Sequence, residues 1–280
     1  MTTRRDFLFH SAALAAFATL PKSPRVTARP TRIERPGLQL YTLNAEMTKD
    51  AAGTIAAVAA IGYTEVEFAY YFGNAPELLR DALHASKLVA PSAHADLDAL
   101  EQRWSVSEHA AKILGHDTLV VPSLDRRKFT TVADWKALAR RFNALGQRAH
   151  DAGLRFAYHN HDFEFLPIDG TRPYDVLLGD TDAALVDFEL DLYWITKGGG
   201  DPLAYFAKYP GRFPIVHVKD TTGAPTFPML DPGAGTIDFK HIFAQWNRAG
   251  IRHYYAEVDN PTNAKATMMA SYRYLRDIEF

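Results

Sequence analysis

TVADWKALARRFNALGQRAHDAGLRFAYHNHD, residues 131–162, reads as a helix, a stop and a strand in that order. Thr131–Ala152 carries a helical pattern, Gly153 sits where such a helix should end, and Leu154–His159 is a short strand-like run. The run finishes in concentrated polar chemistry, His159-Asn160-His161-Asp162.

The same unit recurs on both sides. Strand-like segments occupy 37–41, 65–68, 88–93 and 118–122 before it, and 184–190, 213–218 and 253–258 after it. Helical patterns lie between them, at Asp50–Ile61, Ala75–Ser86, Leu100–Leu114, Asp201–Tyr209 and Asp238–Ala249. Asp50, Asp201 and Asp238 suit helix starts, and Gly62, Gly115 and Gly250 suit helix ends. Strand starts recur about every 31 residues, the length that one strand and one covering helix require. Eight such units over residues 37–280 predict an α/β fold, a single (β/α)8 TIM barrel. A doubly wound open sheet would show a glycine-rich phosphate turn after its first strand. That position here reads Tyr41-Thr42-Leu43-Asn44.

Upstream of the repeat the chain has another character. Arg4-Arg5-Asp6-Phe7-Leu8 leads into an apolar run to Leu20, followed by a Pro/Arg-rich stretch to Pro36. A basic start, a short apolar run and small residues are what an export signal needs, and the paired arginines resemble a twin-arginine signal. Residues 1–28 are therefore expected to be that signal, with cleavage after Ala28, and 29–36 a linker. The barrel would then be periplasmic or secreted, with the Tat translocase as a transient partner, no stable membrane anchor after processing, and the homo-oligomeric state left open.

Composition narrows the chemistry. Hydrophobic residues are 47% and charged residues 23%, globular values that exclude a disordered or fibrous chain. There is no cysteine, which removes disulfides, thiolate zinc sites, iron–sulfur clusters and a cysteine nucleophile. The net charge of −2 conceals an uneven split. Residues 37–280 carry 24 basic and 31 acidic side chains, a net −7, which argues against nucleic acid as a partner.

In a TIM barrel the active site gathers at the C-terminal ends of the strands. Strands 5 to 8 end in His159, Asp191, His217 and Glu257, separated by 32, 26 and 40 residues, each about one unit. Side chains one unit apart stand on neighbouring staves, so these four can converge on one divalent metal ion. Mixed imidazole and carboxylate donors suit Mn, Co, Zn, Fe or Ni, with Mg also allowed. Each residue alone would more often cap a loop; four in succession make the pattern. Glu67 and His94 fall on the opposite side of the rim, as polar lining or substrate ligands. Asn160, Trp194 and Lys197 are further substrate-binding candidates, with Tyr193 and Phe163 beside them as pocket wall. Lys197 and Lys219 could meet hydroxyls or a phosphate, or simply be solvated.

The same strand ends carry a resemblance. GLQLYTL (37–43), YHNHDFEF (158–165), ELDLYW (189–194), HVKD (217–220), GAGTIDF (233–239) and YAEVDN (255–260) resemble the sugar phosphate isomerase/epimerase family of the xylose isomerase-like barrels. The resemblance spans essentially all of 37–280. It implies a metal held by Asp191, His217 and Glu257, with a first ligand that is usually Glu in the epimerases. Here that position is His159, with His161 as the alternative one register step away. One of the two carboxylates of the usual epimerase mechanism is then missing. The implied activity is proton abstraction next to a sugar carbonyl, with Glu257 or a strand 5 histidine as base and His161 or Lys219 returning a proton.

The leading expectation is a metal-dependent sugar isomerase or epimerase. The alternative is a lyase or dehydratase that cleaves an oxidised, 3-keto sugar or glycoside. A nuclease and a non-catalytic sugar-binding barrel are the readings from other classes.

Overall fold

Eight parallel strands close on themselves in chain order. They are β1 (Pro36–Gln39), β2 (Glu65–Phe68), β3 (Val89–His94), β4 (Thr118–Val121), β5 (Arg155–His159), β6 (Val186–Asp191), β7 (Ile215–Val218) and β8 (His253–Ala256). Closure comes from β1 against β8, where Gly37 is the partner of Tyr255 and Leu38 of Ala256. The computed structural model describes residues 31–280; the expected signal at 1–28 lies outside the described residues.

The repeat that anchors the sequence reading is built as its residues dictate. The helix Val132–Asp151 opens on a capping box in which Thr131 and Asp134 satisfy each other's backbone N–H. Its buried stripe of Trp135, Leu138, Ala139, Phe142, Leu145 and Ala149 has the helical period and lies against the barrel. At Gly250 a positive φ of 84° turns the chain from helix towards β8, a conformation that costs glycine little.

Several boundaries differ from expectation. The strand expected to run to Tyr41 ends at Gln39, and Leu40–Leu43 winds into a 3-10 turn. The helix expected over Leu100–Leu114 is two, Leu97–Gln102 and Trp104–Leu114, broken at Arg103. Residues 31–36 are part of the barrel rather than a linker. Thr31 and Phe280 exchange backbone hydrogen bonds at 2.8 and 3.0 Å, Ile33 is buried and Pro36 begins β1. Among the described residues, no helix is long and apolar enough to cross a membrane.

The barrel interior is unusually polar for this architecture, whose inner layers are commonly branched and apolar. A small apolar cluster of Val120, Ala157, Ile215 and Tyr255 crosses its middle. Towards the N-terminal ends of the strands, Glu65 pairs with His253 at 2.8 Å and with Arg35 at 2.8 Å. Towards the C-terminal ends lies the site.

Candidate metal centre and cavity

Successive inward-facing side chains on a strand are two residues apart. On β6 that spacing puts Glu189 and then Asp191 inside; on β7 and just beyond it, His217 and then Lys219. Two polar tiers result. The lower contains Gln39, Glu67, His94, Glu189 and His217; His159, Asp191, Lys219 and Glu257 stand above it. Apart from His94, all are buried.

Each metal-ligand candidate is held from behind. His159 Nδ1 lies 2.9 Å from the Pro122 carbonyl oxygen, which can only accept, so Nδ1 carries a proton and Nε2 faces inward. His217 is held at its other nitrogen: Nε2–H donates to Glu67 Oε2 at 2.7 Å. Its Nδ1 lies 2.8 Å from Glu257 Oε2, and Glu189 and Glu257 hold the ring's pKa well above the histidine range against its burial. Asp191 divides its oxygens. Oδ1 accepts from the Tyr193 and Trp194 N–H groups at 2.9 Å each, capping the next helix. Oδ2 turns inward, 3.3 Å from His159 Nε2.

One donor atom from each of His159, Asp191, His217 and Glu257 lies within 4.8 Å of the others. Two imidazole nitrogens turned towards one point, with the opposite ring nitrogens held by a carbonyl and a carboxylate, are how metal-binding histidines are oriented. The residues therefore fit a divalent ion, and the nitrogen–oxygen donor set without sulfur leaves its identity open. Of the two strand 5 histidines, His159 is the one that joins this group.

The electrostatics also call for positive charge. Lys219 Nζ sits 2.7 Å from Glu257 Oε2, 3.0 Å from Asp191 Oδ2 and 3.3 Å from Asp259 Oδ1. Burial opposes its charge, yet Asp191 and Glu257 outweigh that and hold its pKa well above the lysine range. Burial likewise opposes ionisation of Asp191, but Lys219 and His159 bring it down to about 2. Lys219 and His217 hold Glu257 well below the usual carboxylate range against its burial.

Glu67 and His94 stand on the opposite strands but reach the ligand group rather than only lining the rim. Glu67 Oε2 accepts from Gln39 Nε2 as well as from His217, both at 2.7 Å, directly behind the ligand group. His94 Nε2 is 2.8 Å from Glu189 Oε2 and 3.3 Å from Glu67 Oε2, and its ring is 5.6 Å from those of both His159 and His217. Burial would lower its pKa, but Glu67 and Glu189 push it up to about 9. Barrel curvature explains the difference: β2 and β3 bring their inward side chains to the axis, where opposite staves meet.

Above the ligands opens a cavity of about 310 Å³, whose lining includes Tyr41, Tyr70, His94, His161, Lys219 and Asp259. His161 lines it, and its Nδ1 is buried without a partner. Burial chiefly, with His159 and Lys219, pushes His161 down to about 3, so it is a neutral imidazole. Its loop is fixed by Glu164, which accepts from the His161 N–H at 2.9 Å and from the Tyr158 hydroxyl.

The other substrate candidates do not line the cavity. Asn160 is fully buried and ties β5 to β6, its Oδ1 accepting from the Asp191 N–H at 3.0 Å. Lys197 pairs with Asp162 at 3.3 Å and lies 4.4 Å over the Trp194 ring, which packs 5.0 Å from His161. Trp194 also lies 5.9 Å from Lys219 Nζ, so both border the site without lining the cavity. Gln39 and Tyr70 were not singled out by sequence reasoning, whereas Glu189 and Asp259 stand in the strand-end stretches ELDLYW and YAEVDN. Counting back two residues from Asp191 puts Glu189 on the same inward face, since alternate residues share a face.

The GAGTIDF stretch finds its reason at Asp220. Its carboxylate accepts from the N–H groups of Thr221, Gly233, Gly235 and Ile237 at 2.8–3.1 Å, folding the loop after β7. A Cβ at Gly235 would collide with Asp220 Oδ1 and the Thr221 carbonyl.

Comparison with known proteins agrees with this geometry. A family model described as xylose isomerase-like TIM barrel matches residues 55–278. An inosose dehydratase of Clostridium botulinum strain Alaska E43 is 30% identical over 217 residues, covering 70% of this chain and 64% of its own. The chain thus aligns with about half to two thirds of the length of such curated relatives. A sugar phosphate isomerase/epimerase from Parabacteroides distasonis superposes with a TM-score of 0.77 at 26% identity, covering 88% of this chain and 94% of its own. The IolI protein with bound zinc superposes with a TM-score of 0.68 over 86% and 96%, at 14% identity, a likeness of fold alone.

Proposed function

The chain belongs to the xylose isomerase-like TIM barrel family, and from that premise we propose that it is a metal-dependent lyase that eliminates a leaving group from a ketone-bearing sugar or cyclitol. The observation that carries this reading is the imidazole of His159 in the ligand group, where the epimerases usually have a carboxylate. An epimerase must take a proton from one face of a carbon and return it to the other. Elimination needs one base next to the carbonyl and one acid at the leaving oxygen. The inosose dehydratase name of the Clostridium botulinum relative supports the same choice over isomerisation.

A divalent ion bound by His159, Asp191, His217 and Glu257 would supply Lewis-acid polarisation of the ketone and a template for a neighbouring hydroxyl. His161, a neutral imidazole at the cavity wall, takes the proton from the carbon beside the ketone. The electron pair of that C–H bond becomes the new C=C bond as the β C–O bond breaks. Lys219, kept as an ammonium by Asp191 and Glu257, gives a proton to the departing oxygen. The step is redox-neutral and yields an enone with water or an alcohol. Tyr41 and Tyr70 at the mouth give the ring an aromatic face.

The test is a substrate panel with Mn, Co or Zn added: a keto-cyclitol, free ketoses and 3-keto-glycosides. Enone absorbance should appear with at least one of the first and last classes and vanish with chelator. Epimer formation without enone, accompanied by solvent deuterium at the reacting carbon, would sink the proposal.

A further inference from the structure

The metal cavity is not closed on the side of the loops after β3 and β4. At Asp96 and Ser123, which line both, it adjoins a second groove of about 600 Å³ between those two loops. At about 310 Å³ the first cavity is at the lower limit of ordinary ligand pockets, roughly 300–1,000 Å³. It has room for one ring, and the groove has room for a second group attached to it.

The charge of the groove says what that group is. Asp96, Asp98 and Asp125 face Arg103, Lys128 and Arg141, so the lining is neutral as a whole. Arg141 is already engaged by Glu101 at 2.7 Å, and Asp125 by Arg127 at 2.8 Å. Asp96, Asp98, Arg103 and Lys128 make no ion pair among the described residues, which leaves two acceptor and two donor groups. A phosphate would require clustered cations and would meet the carboxylates unfavourably. Sugar hydroxyls, each both donor and acceptor, suit interspersed carboxylates and cations. Phe129 adds a half-buried aromatic wall.

We infer that the groove is the leaving-group subsite of a neutral, unphosphorylated glycoside whose ketone-bearing ring occupies the metal cavity. The inference rests on the lyase reading and specifies it: the leaving oxygen is glycosidic. In a hexose ring oxidised at carbon 3, the C–H bond at carbon 2 breaks, the carbon 1–oxygen bond breaks, and a double bond forms between those carbons. The proton from carbon 2 goes to the base, one proton from the acid goes to the released alcohol, and no oxidant is consumed.

The experiment compares a 3-keto-disaccharide, the methyl 3-keto-glycoside and a keto-cyclitol, using the full chain and an Arg103→Ala/Lys128→Ala double variant. Both side chains are exposed, so the fold should survive their loss. Enone formation reads elimination, and saturation-transfer NMR of the unoxidised disaccharide reads groove occupancy without chemistry. The disaccharide is expected to exceed the methyl glycoside in kcat/KM by about tenfold or more, an advantage that the double variant removes while sparing the methyl glycoside. Equal rates for the two glycosides, or equal losses in the variant, overturn the inference. Dehydration of the keto-cyclitol with both glycosides untouched overturns the subsite and leaves the lyase reading standing. Disaccharide contact that the variant abolishes, with no ketone eliminated, supports the subsite and overturns the lyase reading.

Discussion

His217 shows how much one side chain depends on what stands behind it. Its Nε2–H is committed to Glu67, and Glu67 is steadied by Gln39, so Nδ1 is the nitrogen left for a metal. Glu67→Gln keeps the volume and weakens the acceptor. It should lower metal affinity about tenfold, read by metal titration of purified protein, with little change in fold. Glu164 makes a second residue-scale case. Burial pushes its carboxyl up to about 8, against 4.5 for an ordinary glutamate. A raised folded pKa means that its stabilising share is complete below about 4.5 and is lost as pH rises through 8. Glu164→Gln, which can still accept from the His161 N–H, removes that titration. Denaturation midpoints of the two proteins should lie closest at or below about pH 4.5, with the variant gaining steadily on the parent up to about pH 8. A pH-independent gap would contradict the assignment.

Elements carry the site by where they end. The helix Val132–Asp151 supports β5, and its capping box is exposed and distant from the cavity. Thr131→Ala should therefore cost about 1 kcal/mol in denaturant unfolding and leave metal binding unchanged. At this scale much was legible in the sequence, because apolar periodicity and glycine stops are local signals. The eight strands and the ends of β5 to β8 follow from them. What could not be read is where inward side chains meet across the barrel. His94 and Glu67 are near in sequence to no metal ligand, and only closure of the sheet carries them to His217. The break at Arg103 and the 3-10 turn at Leu40–Leu43 are equally hidden, since tertiary packing decides them and propensity differs little. Lys197 is the converse case: the sequence places a lysine after a strand, and only the fold sets Asp162 3.3 Å from it.

For the whole molecule, the buried carboxylates at the C-terminal end of the barrel are the main electrostatic liability. Glu67, Glu189, Asp191 and Glu257 are all buried within this one region, where Lys219 pairs with Asp191 and Glu257 and His94 with Glu67 and Glu189. A bound dication should stabilise the fold as well as equip the site. At a hundred times its Kd the gain is about 2.7 kcal/mol, a rise of several degrees in Tm that calorimetry with added Mn or Zn, then chelator, can follow. Asp191→Asn keeps the helix cap and should erase the metal-dependent part of that rise. The backbone pairing of Thr31 with Phe280 has a practical consequence too. Because β1 enters and the last helix, Ala264–Asp277, returns at the N-terminal face, the final residue lies across the barrel from the cavity. A surface tether or affinity handle attached at Phe280 would orient the catalytic mouth outward, so immobilisation through that end should leave substrate access unobstructed.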